Sequence, residues 1–137
     1  MGRKKLDFDP EKREQIIFHR HYDPEIYRAG YGICKFDKLP YHVIKELLDN
    51  GFITNHYYLD TPDVEEFVKY VEEHDPEKWY FHGYVVMAER FDTRITIEGI
   101  GSYEPLGKDE LIDFLQMYRL ADELDAEKDK PVYCWYD

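Results

Sequence analysis

The run Thr93-Arg94-Ile95-Thr96-Ile97-Glu98 alternates polar and apolar side chains. A period of two is the mark of an extended strand with one face buried and one face wet. Another strand-prone run, Trp79 to Ala88, stands just before it, and Glu89-Arg90-Phe91-Asp92 between them has the length and polarity of a hairpin connection. Together they predict an antiparallel hairpin over residues 79–88 and 93–103. Such a ribbon is apolar on one face, and that face must be covered, so the rest of the chain has to supply helices.

The flanking sequence does so. Leu39, Val43, Ile44, Leu47 and Leu48 recur at helical spacing, and Asn50-Gly51 is a left-handed stop. Asp60-Thr61-Pro62 opens a second helix with Val64, Phe67, Val68 and Val71 on its inner face. Glu65, Lys69 and Glu73 follow one another at i,i+4 on its outer face, and His74-Asp75-Pro76 ends it. A third helix is predicted from Lys108 to Leu124, with Leu111, Phe114, Leu115, Tyr118 and Ala121 inward. Asp9-Pro10 reads as an N-cap and first-turn proline of a shorter helix reaching Phe18. Ile33 to Phe36 reads as a short strand, and the aromatic tail Pro131 to Tyr136 as a last one. The fold class is therefore α+β: an antiparallel sheet built on a central hairpin plus a C-terminal strand, packed against three or four helices. Residues 1–8 are expected to form a flexible tail and residues 9–137 a single domain. A chain of 137 residues that is 43% hydrophobic can bury a core of that size.

Two hairpin registers compete. A symmetric turn sets Val86 opposite Ile95, Tyr84 opposite Ile97 and His82 opposite Gly99. A slip of one residue sets His82 opposite Glu98 and Val86 opposite Arg94, and exchanges the faces.

Charge restricts function. Residues 60–137 carry 21 Asp and Glu against 8 Lys and Arg, whereas residues 1–59 carry 9 against 10. The resulting net charge of −12 repels phosphate backbones, so direct nucleic-acid binding is not expected. The longest apolar run, Tyr84 to Ala88, is far short of the roughly 20 residues of a membrane span, and no membrane association is expected. Cys34 and Cys134 lack paired spacing and suit a reducing compartment, which with the rest makes the cytoplasm the expected location. Gly101 to Lys108 resembles a phosphate loop only superficially. Its interval is one residue too long, Asp109 replaces the magnesium-holding hydroxyl, and Glu104 puts a negative charge in the cradle. No cofactor is called for.

Three groups of residues are candidates for chemistry. His82 with Glu98 and Tyr84 would make a proton-tuning set on the hairpin, with Arg94 as an anion anchor. On a strand, His19, His21 and Asp23 would point the same way and begin a metal site. On a helix the two histidines lie about 200° apart, and the Asp9-Pro10 cap favours the helix, so no metal is expected. Asp122, Glu123, Asp125, Glu127 and Asp129 gather at or just past the end of the third helix, where the helix dipole disfavours them, and would suit a contact with a basic partner. The leading reading is a non-enzymatic interaction domain for a basic protein surface, in the extreme form a mimic of nucleic acid. Tyrosine, at 13 residues, would add contact area at low rotamer cost. The alternative is a small enzyme or ligand-binding domain with a pocket between hairpin and helices, using His82, Tyr84 and Glu98.

Overall fold

A computed structural model of the chain describes residues 12, 13, 15–17, 33–53, 62–86 and 94–136. The expected tail at 1–8, the His19-His21-Asp23 cluster and the hairpin connection at 89–92 lie outside the described residues. The described residues contain five strands, β1 (Ile33–Pro40), β2 (Trp79–Val86), β3 (Arg94–Pro105), β4 (Glu123–Asp125) and β5 (Pro131–Trp135). They form one sheet in the order β1-β2-β3-β5-β4, with every described pairing antiparallel. Among the described residues it is accompanied by the α-helices α1 (Tyr41–Asp49), α2 (Val64–Glu73) and α3 (Lys108–Met117), and residues 12, 13 and 15–17 are helical as well. The protein is thus α+β, as the periodicities require.

The hairpin adopts both of the competing registers. His82 pairs with Gly99 and Tyr80 with Gly101, as a symmetric turn demands, but Val86 pairs with Arg94, as the slipped one demands. The change occurs between His82 and Gly83, where Glu98 is the extra residue of a β-bulge in β3. From there to the turn Val85 opposes Ile95 and Gly83 opposes Ile97, so the isoleucines share a face with Phe81 and Val85. Tyr84 stands opposite Thr96 on the other face, with Tyr80 and His82. Phe36 and Leu39 of β1 and Val132 and Cys134 of β5 complete the inner face, and the buried residues of α1, α2 and α3 join them in one core cluster.

Local chemistry sets each helix. Gly51 takes φ 71°, the left-handed conformation expected after α1, and Asn50 donates through Nδ2 to the Glu46 carbonyl at 2.8 Å. Leu39, read as the start of this helix, belongs instead to β1, which runs on to Pro40. Asp63 caps α2 by accepting from the Glu66 amide at 3.1 Å. Tyr41 ties α1 to α2 by donating to Glu72 Oε2 at 2.6 Å, which pushes its phenol up to about 12. The third helix stops at Met117, seven residues short of the expected end. No glycine or proline marks that stop. It is enforced by sheet pairing, because Leu124 must be extended to meet Cys134. Leu115, expected inward, is accordingly 38% exposed.

Cys34 lies on β1 and Cys134 on β5, with β2 and β3 between them, a separation of three strand spacings of about 4.8 Å each. That strand separation is too wide for a disulfide between the two positions, and Cys134 is a buried free thiol.

Two tests follow from this packing. A Cβ at Gly99 would run into the Cys134 carbonyl oxygen and stand 2.7 Å from His82 Nε2. Gly99→Ala is therefore expected to lower unfolding free energy by about 1–3 kcal/mol, measured by denaturant titration, and an unchanged midpoint would count against the β3–β5 spacing. Burial pushes the Cys134 thiol up to about 12 from its ordinary 9.0, and raises the Tyr70 and Tyr118 phenols above their usual range. Above pH 9 the unfolded chain ionises while the folded core stays neutral, so stability should fall steadily as pH climbs from 9 toward 12. A flat stability profile across that interval contradicts the enclosure of these groups.

Candidate functional site

Tyr70 is the residue on which the helical layer converges. It sits on the inner face of α2, one turn before the end, and is 4% exposed. Its ring meets Trp79 edge-on at 5.3 Å and Tyr118 at 5.2 Å, and stacks on His74 at 4.1 Å with 20° between planes. His74 closes the helix. Its Nδ1–H donates to the Tyr70 carbonyl at 2.8 Å, since a carbonyl can only accept, so the neutral ring carries its lone pair on Nε2. The His74 carbonyl in turn accepts from the Trp79 indole N–H at 3.1 Å. Both ends of the imidazole's residue are thereby fixed.

Beside this stack an open cleft of about 470 Å³ separates the C-terminal ends of α2 and α3. Tyr70, Glu73 and His74 form one wall. Asp113, Gln116, Met117 and Arg119 form the other, with Met117 59% exposed at the rim. Arg119 Nη1 donates to the Gln116 carbonyl at 3.2 Å and so caps α3. Neither helix has a basic residue in its last turn. Two sets of C-terminal carbonyls and the Glu73 and Asp113 carboxylates therefore give this cleft a negative potential. The Tyr70 hydroxyl lies in its field. Burial, then Asp113, then Glu110 hold the phenol protonated well above its ordinary range. That hydroxyl finds no hydrogen-bond partner, and neither does Glu110 Oε2, although both atoms are buried.

The residues singled out from sequence lie elsewhere. His82, 7% exposed, donates from Nε2 to the Cys134 carbonyl at 2.7 Å and stacks on Tyr133 at 4.8 Å. Glu98 Oε2 accepts from the Trp135 indole at 3.2 Å. Tyr84 accepts from Arg94 Nη2 at 3.2 Å, and Arg94 Nε reaches Thr96 Oγ1 at 3.3 Å. All four belong to the sheet face away from the core cluster, each engaged in a contact that ties strands together, His82 reaching from β2 across β3 to β5. None of them lines the cleft. Among the described residues no three His, Cys, Asp or Glu side chains are placed to hold a metal ion, and no helix is long and apolar enough to cross a membrane.

The acidic group also sits differently from its expected place. Glu123 and Asp125 are exposed on β4, opposite Trp135 and Tyr133, and Glu127 and Asp129 lie in the turn that leads to β5. Lys130 answers Glu127 at 3.0 Å across a fully exposed surface. Because β4 is the outermost described strand on its side, charges here have a structural use: they discourage another strand from adding to the sheet.

Comparison with known protein families, with curated proteins and with solved structures finds no match to this chain.

Replacing Glu123 and Asp125 together by valine should leave the melting temperature nearly unchanged but promote self-association. Sedimentation velocity over a concentration series would register it, and unaltered sedimentation would mean that these charges do not protect the strand.

Proposed function

We propose that the protein is a non-enzymatic interaction domain that binds a basic protein partner, in the extreme form by imitating nucleic acid. The observation that carries this reading is a negative field that the molecule's own cations offset only in part. Net charge is −12, and none of α1, α2 and α3 carries a basic residue in its last turn; Lys12 at Asn50 and Arg119 at Gln116 answer the ends of α1 and α3 only from outside the helices. The Glu73 and Asp113 carboxylates add to that field where two of these ends meet. Fields of this kind steer a cationic surface toward the cleft and speed association more than they tighten it.

The acidic group at 122–129 contributes to the same field, but its place on the outer strand already has a structural account, so it is secondary support. The alternative enzyme built on His82, Tyr84 and Glu98 is less well supported. His82 spends its Nε2–H on a backbone carbonyl and its ring face on Tyr133. A histidine so held is a strand clamp rather than a proton carrier.

Partners recovered with the tagged chain at low ionic strength should be basic proteins. Measured again with purified components, their affinity should drop roughly tenfold or more as salt rises through the physiological range. A recovered nucleic-acid-binding partner should also release its nucleic acid when this protein is added. Binding that ignores salt, or partners without a basic surface, would overturn the reading.

A further inference from the structure

Resting on the proposed reading of a basic partner, we propose that the cleft between the C-terminal ends of α2 and α3 is a guanidinium site that takes an arginine side chain of that partner. Three features of the cleft specify this group. Its charge comes first: two helix C-termini, each equivalent to roughly half a negative charge, converge with Glu73 and Asp113. Neither carboxylate is paired with a cation among the described residues.

The second feature is an unsatisfied hydroxyl. Tyr70 lines the cleft, and its hydroxyl is a buried polar group that no protein atom satisfies. A buried polar oxygen without a partner gains unusually well from an incoming N–H group. The hydroxyl can accept, and the Glu73 and Asp113 carboxylates can only accept. The missing component is a donor with several N–H groups diverging in a plane.

The third feature is the lining. The flat Tyr70–His74 stack and the Met117 thioether offer polarizable, weakly hydrated surface next to the carboxylates. A guanidinium is planar and easily desolvated, with five donors in a fixed fork. An ammonium is a compact point charge that holds its water. Arg119 opposes an incoming cation from the α3 side, but its guanidinium is exposed at the rim and occupied with the Gln116 carbonyl. No other cationic residue lines the cleft.

The full chain, labelled for NMR and titrated with N-acetyl-arginine amide and separately with N-acetyl-lysine amide, tests the assignment. The arginine compound should bind saturably and more tightly than the lysine one, with shifts centred on residues 70–74 and 113–119. Asp113→Asn should weaken it about tenfold or more, as loss of a charged hydrogen-bond acceptor does. Tyr70→Phe should weaken it several-fold without lowering the melting temperature, because the hydroxyl satisfies nothing within the fold. Arg119→Gln should tighten it, and Glu123→Gln with Asp125→Asn should leave it unchanged. Equal binding of the lysine compound, or wild-type affinity in both Asp113→Asn and Tyr70→Phe, overturns the guanidinium assignment. If the arginine compound leaves the cleft unperturbed while a basic protein still binds with steep salt dependence, this inference falls and the interaction reading stands. If the compound occupies the cleft but no basic protein is recovered, the site is for a free guanidinium ligand and the interaction reading falls.

Discussion

Side chains on a paired strand alternate between two faces, so one inserted residue reverses every assignment beyond it. Glu98 is that residue here. Were Glu98 paired regularly instead of bulged out, Ile95 and Ile97 would share a face with Tyr84 and His82, and β3 could not bury them and Ile100 on the same side. With the bulge, the apolar residues on both halves of β3 reach the helices. The bulge also places the Glu98 carbonyl to accept from the Tyr136 amide at 2.8 Å, which holds the end of the chain to β3. Further along, where the β3–β5 register is irregular between Gly101 and Pro105, Ser102 repairs the ladder. Its hydroxyl donates to the Glu104 carbonyl and accepts from the Val132 amide. The covered face of the sheet is thus continuous, although the pairing beneath it is not.

On that face α2 and α3 meet through aromatic rings, beside the aliphatic residues of α1 and α2. Phe67, Tyr70, Phe114, Tyr118 and Tyr136 meet with centroids between 5.0 and 6.4 Å, most of them tilted or edge-on as the ring quadrupoles prefer. Tyrosine in such a layer brings a hydroxyl that must be dealt with. For Tyr70 the consequence is a buried oxygen without a partner, in the field of Asp113 and Glu110 of the neighbouring helix. The ring that fills the core thus belongs to a residue that also lines the cleft between the helix ends.

Most of the architecture is legible in the sequence because it rests on period and punctuation. The spacing of Val43, Ile44 and Leu47, the Asn50-Gly51 stop and the His74-Asp75-Pro76 terminus all appear where physical chemistry places them. The end of α3 is not legible. Residues 118–124 have acceptable helix propensity, and only the long-range pairing of Leu124 with Cys134 makes them leave the helix. That single difference hides the cleft. On a helix running to Leu124, Asp113 belongs to the N-terminal part and looks like a dipole-compensating acid; on one ending at Met117 it stands near the negative end. Tyr70 is missed for a related reason. It looks like one of 13 tyrosines on a helix whose apolar face is already supplied by Val64, Phe67, Val68 and Val71. The bulge is equally hidden, since Glu98 continues the alternation perfectly and only burial of Ile100 reveals the extra residue.

The Tyr70–His74 stack has one more property. Its imidazole is anchored through Nδ1 to one carbonyl, while its own carbonyl is anchored to the Trp79 indole. Neither ring can rotate without breaking contacts in the core, so their conformational freedom is surrendered during folding and not during complex formation. Recognition at this wall is rigid. What adapts is the opposite side, where Met117 and Arg119 stand in solvent with rotamers still open. A visitor would therefore find one fixed surface that selects its shape and one compliant surface that closes over it.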